Sequence, residues 1–299
     1  MKDRTVVVFG SRGRVGRALV AALAKIGCSV EAVSWLDPTT RTARDWPQIL
    51  AQLSALTGDV DIVFASGLTD PSGSASELTL ANVERPAGLI EATIDRKQFR
   101  YLSLGSVLET RSSLAASNRY LASKLEFWTR IKGLAADPRL NGRLMHLRGH
   151  TFYGGVPALH LFLGQMYDSL RAARPFRMSE GRQLREYAHV DDVALSIIAL
   201  LARSWTGPIV TDLNSGEPVR LSDLARAVFR AFDREHLLQV GALPTPVGEN
   251  MDMRFPRSPA WLLGQPRPAI QGIIEWFCEL LSSDQERVTS HVQTGTVIR

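Results

Sequence analysis

Two residues with complementary proton chemistry, Tyr120 and Lys124, lie four positions apart in the segment SNRYLASKLEFW. On a helix, this spacing places the two side chains on the same face, one turn apart. An ammonium group beside a phenol favours the phenolate, so Lys124 is expected to lower the pKa of Tyr120 and prepare it for proton transfer. A solvated helix face with a coincidental pair has the same spacing. The surrounding elements must therefore decide between these two interpretations.

Strands that alternate with helices surround this pair. The segment TVVVFG is a β-branched apolar run, and the segment RVGRALVAALAKIG that follows it has the apolar spacing of a helix. The alternation continues to about residue 155, with the Tyr120 helix ending near Leu134. This rhythm predicts an α/β fold of the Rossmann type, in which helices cover both faces of a doubly wound parallel sheet.

The alternation becomes irregular after Gly155. We therefore predict a dinucleotide-binding domain over residues 1–155 and a smaller mixed α/β substrate lobe over residues 156–282, interleaved with the end of the sheet. From about Ser282 the apolar periodicity is lost. Residues 283–299 are accordingly expected to form a flexible tail.

Three glycines, Gly10, Gly13 and Gly16, lie between the first strand and the first helix. Glycines at such a turn let backbone N–H groups approach a pyrophosphate at the positive end of the helix. They also let the helix and strand pack closely. Their position favours a dinucleotide site over a turn that needs glycine for its conformation alone.

The end of the second strand bears on which dinucleotide is bound. NAD-binding chains usually place an acidic residue there, whereas arginine or a small polar residue tolerates the 2′-phosphate of NADP. This chain has Ser34 and Trp35 at that place, and Arg12 and Arg14 within the glycine turn. NADP(H) is therefore favoured, although Asp37 lies slightly further on and leaves NAD open.

The composition argues against several other classes of protein. The formal net charge is +5, but the arginines are scattered without a basic run, so a nucleic-acid partner is not expected. No apolar run is long enough to span a bilayer and no signal segment precedes the first strand, so we expect a cytoplasmic protein without a membrane partner.

No metal site is expected either. Cys28 and Cys278 lie far apart in the sequence and have no metal-type spacing. His146 and His150 are four positions apart, but they occur in a segment that alternates like a strand. We interpret both histidines as structural residues.

A family resemblance emerges from the order of the motifs. The glycine turn, Asn82 in LANV and the Tyr120/Lys124 pair are followed by LRGHTFYGG, REYAHVDDVA, LNSGEPVRLSDL and PAWLLGQPRPAIQGIIEWF. Over nearly its whole length the chain resembles the extended short-chain dehydrogenases/reductases, the NAD-dependent epimerase/dehydratase superfamily that acts on nucleotide sugars. Within it, the chain is most similar to nucleotide-sugar 4-ketoreductases such as CDP-abequose synthase.

The resemblance implies a role for each part of the site. Tyr120 would exchange a proton with the sugar oxygen during hydride transfer, and Lys124 would lower the pKa of Tyr120 and hold the nicotinamide ribose. The residues expected to contact the dinucleotide are Gly10, Ser11, Arg12, Gly13, Arg14, Val15, Gly16, Ser34, Trp35, Ala65, Ser66, Gly67, Asn82, Tyr120 and Lys124.

The sequence departs from the family at the usual catalytic serine or threonine. Leu104 occupies that place, so the hydroxyl would have to come from Ser106 or, as the alternative, from Ser103. In related dehydratases an Asp-Glu pair follows the threonine, whereas this chain has Gly105 and Ser106. Neither residue can remove or add water by acid–base catalysis, so dehydration is not expected.

Three functions remain open on the sequence. A 4-ketoreductase that uses NADPH once is favoured by the expected NADP preference. A 4-epimerase with tightly bound NAD is the alternative. A non-catalytic NADP-binding sensor or scaffold of the same fold is favoured by Leu104 but opposed by the intact Tyr120/Lys124 pair.

Two arginines match positions at which the relatives contact the nucleotide sugar. These are Arg185, which precedes EYAHVDD, and Arg254 in NMDMRFPRSPAW. Guanidinium groups suit diphosphate oxygens because they bind in a bidentate manner. With Ser106, they form the expected substrate-binding set, although a surface position or an ion pair with Asp191 or Asp192 is the alternative. A homodimer is expected by analogy with the fold.

Overall fold

The computed structural model describes residues 4–35, 46–70, 72–110, 118–207, 209–259, 262 and 266–293. The chain divides into two compact units, each assembled from separate segments of the sequence. The first unit comprises Met1–His150, Val190–Asn214 and Arg257–Gln265, and the second comprises Thr151–His189, Ser215–Pro256 and Pro266–Arg299.

The first unit contains a central sheet and its covering helices. Its strands are β1 (Arg4–Phe9), β2 (Ser29–Val33), β3 (Asp59–Phe64), β4 (Phe99–Ser106), β5 (Leu144–Gly149) and β10 (Val210–Leu213). Its helices are α1 (Arg14–Lys25), α2 (Trp46–Ser54), α3 (Ala75–Thr79), α4 (Arg85–Thr93), α5 (Arg119–Leu134) and α7 (Val190–Leu201), the last counted after α6 of the second unit.

The six strands form one sheet in the order β2-β1-β3-β4-β5-β10. Every neighbouring pair is parallel. Because β1 lies between β2 and β3, the strand order reverses there, and such reversals create a crevice beyond the carboxyl ends of the strands. This is a Rossmann-type fold, which confirms the predicted fold class.

The sequence explains why β1 lies inside the sheet, between β2 and β3. Val6, Val7, Val8 and Phe9 are fully buried, as expected for a parallel strand that is covered on both faces. Helix α1 packs an apolar stripe that includes Leu19 and Leu23. The glycine turn therefore connects two elements that are both packed into the core.

The helical region after β3 is interrupted. The segment that starts at Leu78 reads as continuous, but the structure shows α3, then a π-helical turn (Leu80–Glu84), then α4. Helix α3 begins with a capping box, in which Ser74 accepts a hydrogen bond from the Glu77 amide. π-Helical turns occur often at functional sites, and this one carries Asn82.

The second unit is a small mixed α/β assembly. Its strands are β6 (Thr151–Tyr153), β7 (Phe176–Met178), β8 (Leu184–Arg185), β9 (Tyr187–His189), β11 (Val219–Arg220) and β12 (Leu238–Val240), and its helices are α6 (Phe162–Ala172), α8 (Leu221–Ala231) and α9 (Ala269–Gln293). The strands pair as β6–β9, β7–β12 and β8–β11. Its core contains Met166, Phe229 and Phe277.

Helix α9 continues past the point at which the apolar periodicity ends near Ser282, because it extends to Gln293. Part of the segment expected to be a flexible tail is therefore helical, and residues 294–299 lie outside the described residues. None of the helices in the described ranges combines the length and the apolar character needed to cross a bilayer.

Candidate active site

The glycine turn between β1 and α1 brings backbone segments into very close contact. Gly10 has a φ of +86°, and a Cβ atom there would lie 2.5 Å from the amide nitrogen of Ser66. At Gly16, a Cβ would lie 2.1 Å from the carbonyl oxygen of Gly10. Gly13 occupies the N-cap of α1 and has no side chain to cap it. No side chain therefore caps the first turn of α1, whose N–H groups lie at the positive end of the helix, where anions bind.

An open groove borders this turn. Its lining residues are Gly10, Ser11, Arg12, Val33, Ser34, Trp35, Gly67, Leu68, Ala81 and Arg85. Arg12 donates a hydrogen bond from Nη2 to the Ser34 Oγ at 3.1 Å. The described lining thus contains two guanidinium groups and no carboxylate. Asp37, which could favour NAD, lies outside the described residues.

Trp35 lines the groove and is also packed into the core of the sheet. Its indole ring stacks on Phe9 with a centroid separation of 4.2 Å, and its Nε1 donates to the Ser66 Oγ at 2.9 Å. The side chain is buried, so it belongs to the core of the sheet as much as to the groove. Ser34, the next residue towards the amino terminus, directly follows β2.

The remaining residues predicted to contact the dinucleotide surround the same turn. The Ala65 amide donates to the Phe9 carbonyl at 2.9 Å, which joins the ends of β1 and β3. Arg14 and Val15 lie half-buried in the first turn of α1. Burial lowers the pKa of Arg14 from its usual value.

Asn82 joins the loop after β3 to helix α5. Its Oδ1 accepts a hydrogen bond from the Leu68 amide at 2.8 Å, and its Nδ2 donates to the Leu68 carbonyl at 3.0 Å. Nδ2 also donates to the Ser123 Oγ at 2.9 Å. The side chain is buried, so Asn82 positions this loop against the helix that carries Tyr120 and Lys124.

Helix α5 begins at Arg119, one residue before Tyr120. The side chain of Asn118, at the N-cap, accepts a hydrogen bond from the Leu121 amide. The Nζ of Lys124 lies 6.0 Å from the centre of the Tyr120 ring. Lys124 is buried and donates from Nζ to the Leu104 carbonyl at 3.1 Å. The helix thus brings the phenol and the ammonium together near the carboxyl end of β4, as their spacing predicted.

The electrostatic effect on Tyr120 is opposite to the predicted one. Burial, reinforced by the negative charge of Glu109, raises the pKa of Tyr120 to about 12. Burial also lowers the pKa of Lys124, an effect that Glu109 opposes. The prediction that the phenol is activated towards its phenolate was wrong. The spacing of the two residues indicates only the charge of Lys124. It does not show the burial of the phenol or the carboxylate of Glu109, eleven residues earlier.

A buried chain of hydrogen bonds lies at this end of β4. The Nε2 of His146 lies 2.9 Å from Glu109 Oε2, and its Nδ1 lies 2.7 Å from Ser103 Oγ. The Ser106 amide donates to Glu109 Oε1 at 2.7 Å. At Gly105, a Cβ would lie 2.1 Å from His146 Nε2, so the contact between His146 and Glu109 requires glycine there.

The two serines proposed to replace the missing hydroxyl have different environments. Ser103 is fully buried and engaged with His146, as a structural residue would be. Ser106 is half-buried, and its Oγ accepts a hydrogen bond from the Leu108 amide at 3.2 Å. This geometry favours Ser106 over Ser103 for a role towards substrate.

Residues 6–216 match the model described as the NAD dependent epimerase/dehydratase family. The chain belongs to this family. The matched region includes the glycine turn, Asn82, Tyr120 and Lys124. A search of curated proteins finds no match.

Several solved structures share the fold of this chain. The chain is similar to MoeE5 in complex with UDP-glucose and NAD (20% identity, TM-score 0.71, covering 93% of this chain and 99% of that chain). It is also similar to UDP-glucose 4-epimerase from Thermotoga maritima (13% identity, TM-score 0.76, covering 93% of this chain and 99% of that chain). A third similar structure is dTDP-glucose 4,6-dehydratase from Bacillus anthracis in complex with NAD (12% identity, TM-score 0.75, covering 95% of this chain and 98% of that chain).

The two arginines expected to bind the sugar nucleotide lie in the second unit. Arg185 donates to the Asn250 carbonyl at 2.7 Å and pairs with Glu249. Arg254 is exposed and pairs with Asp252, with its Nε 2.9 Å from Oδ1. Both therefore form ion pairs, but their partners are not the Asp191 and Asp192 named from the sequence.

Sequence reasoning missed Glu109, Arg85 and the role of His146. Glu109 belongs to no motif, although a glycine four residues earlier at the end of a strand was an available signal. Arg85 reaches the groove from the start of α4, which no local pattern indicates. No cluster of three or more potential metal ligands occurs among the described residues.

Proposed function

We propose that this chain is an NADP(H)-dependent reductase of a nucleotide-activated 4-keto-deoxyhexose, with Tyr120 as the general acid. Membership of the NAD dependent epimerase/dehydratase family supports the class of chemistry. The structures with UDP-glucose and UDP-glucuronic acid support a nucleotide sugar as substrate. The similarity of the sequence to 4-ketoreductases such as CDP-abequose synthase supports the keto-deoxyhexose.

The residues of the glycine turn fit a dinucleotide. Only glycine fits at positions 10 and 16, because a Cβ atom on Gly10 or Gly16 would collide with neighbouring main chain. The uncapped start of α1 offers N–H groups to the pyrophosphate, and the groove beside it suits the adenosine half. Tyr120, Lys124 and Gly67 would lie towards the nicotinamide half.

One observation carries the choice of a reductase. Among the described residues lining the groove, Arg12 and Arg85 supply positive charge and no residue supplies a carboxylate. Guanidinium groups favour the 2′-phosphate of NADP, whereas a carboxylate would repel it. A preference for NADP suits an enzyme that exchanges its cofactor at each turnover better than one that retains it.

The protonation of Tyr120 suits the same direction of reaction. A phenol whose pKa is raised to about 12 is protonated at neutral pH and can donate its proton to a carbonyl oxygen. A bound nicotinamide dinucleotide would supply the hydride. Tyr120 would then recover a proton from water. Lys124 would stabilise the transient phenolate through its positive charge, and Ser106 would donate a hydrogen bond to the same carbonyl oxygen.

A 4-epimerase is the second candidate, because the similar structures include a UDP-glucose 4-epimerase and a UDP-N-acetylglucosamine 4-epimerase. The two reactions differ in what they consume. A reductase oxidises one NADPH for each keto sugar reduced, whereas an epimerase interconverts two sugars without net consumption. A sensor would bind the cofactor without turnover.

The deciding experiment offers nucleotide-linked 4-keto-6-deoxyhexoses with NADPH or NADH and follows both cofactor absorbance and sugar products. We expect oxidation of NADPH in a 1:1 ratio with the alcohol formed. Interconversion of UDP-hexoses without net oxidation would establish the epimerase instead. Cofactor binding without either product would establish the sensor.

Arginine variants test the choice of cofactor in the same assay. Arg12→Ala and Arg85→Ala should each weaken NADPH binding about tenfold or more, since a hydrogen bond between charged groups contributes about 1.5–3 kcal/mol, while leaving NADH binding nearly unchanged. Arg17→Ala, which removes an exposed arginine of α1 outside the groove lining, is the matched control. Equal losses for NADPH and NADH would contradict the assignment of the 2′-phosphate.

A further inference from the structure

Glu109 is a buried carboxylate directly after β4. It lies in a short 3₁₀ turn (Val107–Thr110), and its side chain is fully shielded from water. Burying a carboxylate is unfavourable unless hydrogen bonds compensate for the lost water. Both oxygens are engaged here: Oε1 accepts from the Ser106 amide at 2.7 Å, and Oε2 lies 2.9 Å from His146 Nε2. The compensation therefore comes from the main chain of Ser106 and the ring of His146.

His146 connects this carboxylate to the sheet. A carboxylate can only accept, so Nε2 donates to Glu109, and Nδ1 accepts from the Ser103 hydroxyl at 2.7 Å. Ser103 and His146 are directly paired positions of β4 and β5. Trp128 stacks on the imidazole at a centroid distance of 5.1 Å, and Phe127 meets it edge-on at 5.8 Å. Two hydrogen bonds and two aromatic neighbours thus fix the ring behind Glu109.

Gly105 provides the space for this arrangement. A Cβ atom there would lie 2.1 Å from His146 Nε2 and 2.5 Å from Glu109 Oε1, closer than non-bonded atoms approach. Only a residue without a side chain therefore lets Glu109 reach back across the turn to the amide of Ser106.

Ser106 is held through both its main chain and its side chain. Its amide donates to Glu109, and its Oγ accepts from the Leu108 amide at 3.2 Å, a contact by which serine hydroxyls stabilise turns. Neither bond uses the hydrogen of the hydroxyl. Ser106 is half-buried rather than enclosed. The protein therefore orients this hydroxyl and leaves its hydrogen for donation to a ligand.

We propose that Glu109, with His146 behind it, is a positioning residue that fixes the main chain of Ser106 and so aims the Ser106 hydroxyl at the carbonyl oxygen of the substrate. This role rests on the reductase function proposed above. It gives the site an oriented hydroxyl although Leu104 has none. Glu109 does not itself exchange a proton with substrate, because it is buried and both of its oxygens are occupied within the protein.

A double-mutant cycle tests whether Glu109 acts through the hydroxyl. Glu109→Ala removes the acceptor of the Ser106 amide, and Ser106→Ala removes the hydroxyl but keeps that amide. A substitution that acts only through the hydroxyl has no further effect once the hydroxyl is absent, whereas general damage to the site lowers kcat in either background. Wild type, both single variants and the double variant are assayed with NADPH and a nucleotide-linked 4-keto-6-deoxyhexose.

We expect Glu109→Ala to lower kcat by about tenfold to a hundredfold, the usual effect of a small displacement of a reacting group. KM should change little, because the hydroxyl acts mainly in the transition state. In the Ser106→Ala background, the same substitution should lower kcat by less than about twofold. Equal losses of kcat in the two backgrounds would overturn the positioning role.

Glu109→Gln is the conservative variant. Its amide oxygen can accept from the Ser106 amide, and its amide N–H₂ can donate to His146 Nε2 in the other tautomer of the ring. We therefore expect kcat within about threefold of wild type, since both hydrogen bonds are kept. A glutamine variant with as low a kcat as Glu109→Ala would contradict a role through hydrogen bonds.

Asp61→Ala is the matched control for loss of a buried carboxylate. Asp61 lies in β3, is fully buried and pairs with Arg4 and Arg100. Its replacement should lower the free energy of unfolding and leave kcat unchanged. If Asp61→Ala lowered kcat as much as Glu109→Ala does, the effect at Glu109 would be one of stability alone.

Hydrogen exchange of the Ser106 amide, followed by NMR in the cofactor-free protein, tests the contact without any reaction. In Glu109→Ala this amide should exchange at least about tenfold faster, measured relative to the amides of β1, which report general loss of stability. In Glu109→Gln it should remain protected. Unchanged protection in Glu109→Ala would overturn the positioning role, whatever the activity.

The exchange measurement also separates this role from the proposed reaction. A wild-type protein that reduces no keto sugar, but whose Ser106 amide loses protection in Glu109→Ala, would refute the reductase and support the positioning of Ser106. If Glu109→Ala does not fold, Glu109→Asp takes its place in both experiments, because it draws the carboxylate back by one methylene. The same outcomes then decide.

Discussion

The two ends of the candidate site differ in whether backbone or side chains form them. The dinucleotide end is made of backbone, with Gly10 and Gly16 in close contact with neighbouring main chain beside an open groove. The end proposed for proton transfer is made of side chains, with Lys124, Glu109 and His146 buried and hydrogen-bonded. Backbone geometry recognises a phosphate without titratable groups, whereas proton transfer requires charges that are held away from water.

This difference separates binding from chemistry. A change at the backbone end should affect affinity for the cofactor, and a change at the side-chain end should affect turnover and its pH dependence.

Replacing Tyr120 by phenylalanine should lower turnover by about two to four orders of magnitude, equivalent to roughly 3–5 kcal/mol, because the general acid is lost. NADPH affinity, measured by fluorescence titration, should hardly change. Tyr101→Phe is the matched control, because Tyr101 is a buried tyrosine at the other end of β4, bonded to Thr93. The Tyr101→Phe variant should lower the free energy of unfolding and leave turnover unchanged. Full activity in Tyr120→Phe would mean that another group donates the proton.

Replacing Gly10 by alanine should weaken NADPH binding at least tenfold and lower the free energy of unfolding by about 1–3 kcal/mol. The reason is the collision of the new Cβ with the Ser66 backbone, added to a φ of +86°. Gly27→Ala is the control, since Gly27 has a φ of +69° and nothing within 4 Å of its Cβ position. That variant should lose stability by strain alone and bind NADPH normally. Equal NADPH affinities in the two variants would show that the turn does not hold the cofactor.

The serine pair gives the smallest effects and separates structure from chemistry. Ser103→Ala should lower the free energy of unfolding by about 1–3 kcal/mol, because His146 Nδ1 loses its buried partner. Ser106→Ala should instead lower kcat with a smaller loss of stability. Chemical denaturation and steady-state kinetics on both variants measure the two effects. A kcat loss confined to Ser103→Ala would reverse the assignment.

Local patterns were sufficient for much of the fold. The β-branched run of β1, the apolar stripe of α1 and the spacing of Tyr120 and Lys124 predicted a parallel sheet and a shared helix face, and the structure confirms both. The π-helical turn at Leu80–Glu84 was not predicted, because its apolar spacing resembles that of an ordinary helix. The direction of the pKa change at Tyr120 was wrong, since burial and the charge of Glu109 come from residues distant in sequence.

The sequence by itself determined the alternation of strands and helices, the glycine turn and the pairing of a phenol with an ammonium, because each depends on residues that are close together along the chain. The tertiary structure alone decided that His146, from β5, reaches Glu109 after β4, and that Arg85 faces the groove. Electrostatic effects depend on distance and on exclusion of water, and neither quantity follows from separation along the chain.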